Sequence, residues 1–150
     1  MQAIEEWANN EEFQQKNWLE FVYNDAKAMI EHCYEANDNP YIDYEGGYYY
    51  NHGDHFYPDG ARSEGLIAAY YLAKKQGEKD LADEILATAK KVAKCQFQLF
   101  NDEKSGYSHR NPQKSAHGIR FKATRQWVRV DTVQHVACFF IRLFWAENSK

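Results

Sequence analysis

The stretch Arg62-Ser63-Glu64-Gly65-Leu66-Ile67-Ala68-Ala69-Tyr70-Tyr71-Leu72-Ala73-Lys74-Lys75-Gln76 decides the fold class. It contains no proline and is apolar on nearly every side until Lys74, which predicts a helix that neighbouring elements must cover all round. Gly77 follows as a tight C-terminal stop. From Glu78 to Leu99 the apolar character becomes one-sided. Leu81, Ile85, Thr88, Val92, Cys95 and Leu99 form a stripe, while Lys90, Lys91 and Lys94 face outward. A short turn between the two segments predicts an antiparallel hairpin with a buried helix inside and an amphipathic one outside.

Upstream, Trp18, Val22, Ala26, Met29 and Cys33 recur at helical intervals and predict a long amphipathic helix over Glu11 to Ala36, its polar face carrying Glu20, Lys27, Glu31 and Glu35. Asn37 to Gly60 holds Pro40, Pro58 and the run Tyr48-Tyr49-Tyr50 and reads as a loop with a short strand at most. After a polar stretch from Asn101 to Val130, a last helix is expected from Asp131, where Asp131 and Gln134 have the spacing of a capping box. Its body, Val133 to Trp145, is again apolar all round. The expectation is an all-α fold of antiparallel helical hairpins in a single domain over residues 1–150.

With 44% apolar and 16% aromatic residues and only 3 prolines, the chain has material for one packed core and is not intrinsically disordered. A net charge of -4 excludes a generally polybasic binder. No run of about 18 uncharged apolar residues is present, so no membrane association is expected. The N-terminus is acidic where a signal peptide would be basic, and Cys33, Cys95 and Cys138 are odd in number, far apart and each in a segment read as helix. They read as reduced core thiols of a cytoplasmic protein.

Two segments, Gly46 to Ala73 (GGYYYNHGDHFYPDGARSEGLIAAYYLA) and Arg125 to Phe144 (RQWVRVDTVQHVACFFIRLF), together with the alternation of buried and amphipathic helices, resemble the α/α toroids of the six-hairpin glycosidase-like superfamily. The resemblance covers most of residues 40–147 and implies a ring of hairpins with long loops at one rim. It also implies a carbohydrate-active enzyme of hydrolase, lyase or epimerase type. A triplet Arg-x-acid, Arg62-Ser63-Glu64 and again Arg129-Val130-Asp131, opens both buried helices and echoes a repeat. The chain supplies about two and a half hairpins, and two nearly all-apolar helices need more cover than so few neighbours give. The expectation is therefore a partial ring, the C-terminal portion of a longer chain or one that self-associates as a homo-oligomer.

Charge is distributed unevenly. Lys104, Arg110, Lys114, Arg120, Lys122, Arg125 and Arg129 make the segment 104–130 +7, with no acid in it. Tyr107, His109, His117, Phe121 and Trp127 are interleaved with them. Cations for a carboxylate or phosphate beside aromatic faces for stacking suit an anionic oligosaccharide or small-molecule ligand, and Tyr107, His109, Trp127, Arg129, Arg62 and His135 are the candidate substrate-binding residues. The bland account is a solvated loop whose arginines pair with acids of the same molecule.

The second constellation is Asn51 to Glu64, with His52, His55, Asp54, Asp59 and Glu64 leading into a buried helix. Cleavage of a glycosidic bond needs two carboxyls, and Asp54, Asp59, Glu64 and Asp131 are available. Elimination or epimerisation at a uronic acid needs instead a base such as His55, His135 or Tyr107 beside a cation such as Arg62 or Arg129. Asp59, Glu64, Asp131 and His55 are the catalytic candidates. Each has a structural alternative: Asp59 as a turn former, Asp131 as a helix cap, the arginines as clamps and His135 as a core histidine. His52 and His55 with Asp54 show no further ligand at a recognisable spacing, so no metal is expected, and Glu45 to Tyr48 lacks the Lys-Ser/Thr of a phosphate loop, so no cofactor is expected. Nucleic acid is the competing partner, disfavoured because the charge is confined to one loop of an acidic protein without a known nucleic-acid motif. The alternative from another class is a non-catalytic interaction module whose bare helices dock on a partner or on the rest of a longer chain.

Overall fold

A computed structural model describes residues 1–7, 16–38, 42–49, 60–102, 104–122 and 125–148. It is mostly helical: α1 (Gln2–Trp7), α2 (Lys16–Glu31), α3 (Gly60–Gln76), α4 (Lys79–Phe97), α5 (Pro112–Ser115) and α6 (Val130–Asn148), with one small hairpin, β1 (Arg120–Lys122) and β2 (Arg125–Val128). The continuously apolar stretch forms α3, and it is covered all round: Leu66, Ile67, Ala68, Ala69, Leu72 and Ala73 are fully buried. Helices α1, α2, α4 and α6 all pack on it.

The directions of these helices follow from a few contacts. The Gln96 side chain donates to Ser63 Oγ at 2.7 Å, which puts the end of α4 beside the start of α3 and makes that hairpin antiparallel. Helix α2 is antiparallel to α3 as well, since a Cβ on Gly65 would lie 3.7 Å from Met29 Cε and Tyr23 feels the charge of Glu78 beyond the other end of α3. Helix α6 instead runs parallel to α3. His135 meets Glu64, and seven residues on, or about two turns, Tyr71 donates from its hydroxyl to the Arg142 carbonyl. Two amphipathic helices thus flank α3 on the outside, and α6 lies beside it in the same direction.

The hairpin turn at Gly77 uses a left-handed backbone, φ +80, with open space around the missing side chain. Gly77→Ala should therefore cost only the backbone strain, about 1–2 kcal/mol, read as a shift of the urea midpoint at constant slope. Residues 32–38 and 42–49 behave differently, because they are strapped onto α4. Cys33 pairs with Tyr48 in an isolated bridge, and Lys91 Nζ donates to Glu35 at 2.6 and 2.7 Å.

The structure corrects several sequence expectations. Helix α2 ends at Glu31, so Cys33 is a buried bridge residue and not helical; the expected start at Glu11 lies outside the described residues. The 101–130 stretch is not a plain loop but holds a 3-10 turn (Ser105–Ser108), α5 and the hairpin. Buried Asn101 organises it: its backbone bonds to His117 and Gly118 and its amide to the Ser115 carbonyl at 3.2 Å. Helix α6 starts at Val130, one residue early, so Asp131 lies inside its first turn and not before it, while the Arg129 carbonyl accepts from Val133. The body of α6 is apolar all round, yet only one side is covered. Val136 and Phe139 are fully buried, whereas Ile141, Phe144 and Trp145 are 50%, 64% and 56% exposed. Among the described residues, no helix is long and apolar enough to cross a membrane.

Candidate functional site

The N-terminal ends of α3 and α6, the C-terminal end of α4 and residues 104–122 and 125–128 share one rim of the bundle. A small apolar cluster of Cys95, Leu99, Ile119 and Val136 seats the segment there, and Arg120 donates from its guanidinium to the Gln98 carbonyl at 2.6 Å. Gly60, the first residue of α3, approaches α6 so closely that a Cβ would lie 2.8 Å from Val136 Cγ2 and 2.9 Å from His135 Cβ. That close approach brings the side chains of the next turn together. His135 Nδ1 and Glu64 Oε2 are 2.6 Å apart, with Glu64 buried at 9% exposure and His135 half-buried.

Glu64 and His135 are two sequence candidates, far apart in the chain, that the fold unites. The tie spans 71 residues, and the triplet echo is offset from it by one turn, since Glu64 stands level with His135 and not with Asp131. Arg129 and Asp131 engage each other instead. The Arg129 guanidinium meets both carboxylate oxygens, at 3.0 and 2.5 Å, and lies 4.7 Å over the Phe121 ring. Desolvation pushes the Asp131 carboxyl up, but the hydrogen bonds and charge of Arg129 outweigh it and hold the group below its ordinary value. This pairing is present above the ordinary carboxylate pKa and lost as pH falls through the lowered one. Both side chains are about half exposed, so the contact is worth little to stability.

The other candidates are spread along the rim. Tyr107 is 83% exposed, Trp127 is exposed, and the hairpin is tied to the Tyr107 turn by Gln126, whose amide donates to Ser108 Oγ at 2.6 Å. His109 is half-buried, and its Nε2 is enclosed without a hydrogen-bond partner among the described residues. Arg62 lies half-buried in the first turn of α3. His55 and Asp59 lie outside the described residues, as do His52 and Asp54. Exposed Lys104, Arg110 and Lys114 add positive charge. Among the described residues no group of three or more His, Cys, Asp or Glu could hold a metal ion.

Beyond the rim, the sequence did not signal a groove of about 700 Å³ between α1, α3 and α6, into whose lining Tyr71, Cys138 and Trp145 enter. Its base is an ion pair of Arg142 with Glu5, both largely buried. No local pattern could reveal a contact between residues 137 apart in the chain. Cys138 is the half-buried cysteine, whereas Cys33 and Cys95 are buried. Burial pushes the Cys33 thiol up to about 12 and raises Cys95 as well; desolvation followed by the Glu64 charge raises Cys138. A maleimide at pH 8 should accordingly label Cys138 in the folded protein, slowly for a thiol, and Cys33 and Cys95 only after unfolding. Mass spectrometry of the native and urea-unfolded chain reads this directly, and labelling of all three in the folded state would refute it. Compared with family models, curated proteins and solved structures, the chain matches none.

Proposed function

We propose that the chain is a carbohydrate-binding or carbohydrate-active protein of the α/α-toroid type, acting at this rim on an acidic glycan or oligosaccharide. The observation that carries the reading is the Glu64–His135 pair, a carboxylate and an imidazole held 2.6 Å apart by two parallel helices beside a basic, aromatic surface. Such a pair can take a proton at one atom and return it at another. That is the requirement at a glycosidic oxygen in hydrolysis, or at the carbon next to a uronate carboxylate in elimination or epimerisation. Lys104, Arg110 and Lys114 supply cations for the substrate's carboxylate, and Tyr107 and Trp127 supply rings for its sugar faces. The toroid assignment is supported by the parallel α3 and α6 with antiparallel α2 and α4 outside α3.

Calorimetry with uronate-containing, neutral and phosphorylated oligosaccharides, and with a single-stranded oligonucleotide, tests the proposal. Saturable binding of the uronate oligosaccharide is expected, weakened about tenfold, or about 1.4 kcal/mol, in a Lys104→Ala/Arg110→Ala double variant. His135→Gln should leave binding within twofold and remove any turnover. Tight binding of the oligonucleotide alone would overturn the reading.

A second reading is favoured by two observations: Arg129 and Asp131 close on each other, and Ile141, Phe144 and Trp145 leave one side of α6 bare. Here the chain is an interaction module, and Glu64–His135 is a structural tie between helices. In that case His135→Gln lowers stability and changes nothing else.

A further inference from the structure

We infer that the groove between α1, α3 and α6 is a saccharide subsite that takes an uncharged pyranose ring, its near edge at Cys138 one turn of α6 from the Glu64–His135 pair. The inference rests on the carbohydrate reading above and gives it a second, chemically different subsite. The groove volume, about 700 Å³, falls in the range of small-molecule sites.

Its walls combine the two kinds of group a sugar ring uses. Trp145, 56% exposed, offers an indole face for ring C–H groups. Tyr71 is a fixed part of the lining, its hydroxyl donating to the Arg142 carbonyl at 2.8 Å and the Arg142 guanidinium lying 4.9 Å over its ring. Around them lie planar polar groups, the Glu5 carboxylate, the Arg142 guanidinium and the Gln2 amide, whose paired donors and acceptors match adjacent hydroxyls. Glu5 and Arg142 neutralise each other, so the groove selects no charge, in contrast to the rim with its exposed Lys104, Arg110 and Lys114.

The two regions adjoin at Cys138. His135, Cys138 and Arg142 recur at helical spacing along one strip of α6, and Cys138 both lines the groove and feels the Glu64 carboxylate. A glycan with an acidic residue at the rim thus runs toward the groove along this strip, with an uncharged residue further along the chain seated there.

Cys138 serves as the reporter. The full chain is labelled with N-ethylmaleimide at pH 8 while neutral disaccharides of gluco, manno and galacto configuration, or a uronate oligosaccharide, are titrated in. At least one neutral disaccharide is expected to slow Cys138 labelling tenfold or more, and Trp145→Ala, at an exposed position that leaves folding intact, is expected to abolish both the protection and the calorimetric binding. Phe21→Ala, at an exposed position of α2 outside the groove lining, should leave neutral-sugar binding within twofold. If the uronate oligosaccharide binds wild type and Trp145→Ala equally and no sugar slows labelling, the groove subsite is overturned while the rim reading stands. If no sugar of any class binds, both fall. Protection that grows with protein concentration and ignores sugar would mean that a second copy covers the groove, and also overturns the subsite.

Discussion

Phe139→Ala is expected to cost about 3–5 kcal/mol, a large part of the 5–15 kcal/mol that holds a domain of this size together. Phe139 is fully buried on the covered side of α6, and its ring packs edge-on against Phe140 at 5.4 Å. Phe140 in turn meets Phe97 at 4.8 Å and Phe100 at 5.8 Å, so the lost ring leaves a void at the point where α6 joins α3 and the end of α4. The parallel helices that position Glu64 and His135 meet through this residue's side of α6. The loss should therefore appear in the urea midpoint and, on the proposed function, in weakened uronate binding. A cost below about 1.5 kcal/mol, the range of a tolerated hydrophobic swap, would mean that α6 does not dock as described.

Gly46→Ala is expected to cost about 3 kcal/mol or more, through a backbone conformation and a collision acting together. Gly46 has φ +85, and a Cβ there would lie 2.1 Å from the Lys91 carbonyl oxygen and 2.3 Å from its carbon. Both are backbone atoms in the middle of α4, so α4 cannot give way and the strap must lift. Lifting it separates Glu35 from Lys91 and Glu45 from Lys94, and exposes Tyr48, now fully buried. Gly77→Ala is the internal control, having a similar φ of +80 and nothing within 4 Å. If both substitutions shift the urea midpoint equally, the strap does not press on α4.

The candidate site was legible only in part. Glu64, Asp131, Arg129 and His135 could be singled out because titratable residues at the start of an apolar helix are unusual, and that signal is local. The Arg129–Asp131 clamp, between residues two apart, was legible as a structural alternative, and the structure shows it. The partner of Glu64 was not legible: it is His135, because the close approach of Gly60 to α6 fixes which turns face each other. The groove residues Glu5 and Arg142 carried no signal at all, since a residue is read as a pocket wall only when the helices around it are assembled.

What the sequence by itself determined is what depends on a few neighbouring residues: helical periodicity in α2, α3, α4 and α6, the stop at Gly77, the all-round burial of α3 and the excess of apolar surface on α6. These follow from side-chain spacing and backbone preference, which act over one or two turns. Only the tertiary structure decided that α6 lies parallel to α3, that Cys33 leaves its helix to bridge Tyr48, and that residues 104–122 and 125–128 fold into turns and a hairpin around Asn101. These depend on contacts between residues far apart in the chain, where burial of shared apolar area and satisfaction of buried polar groups outweigh local propensity.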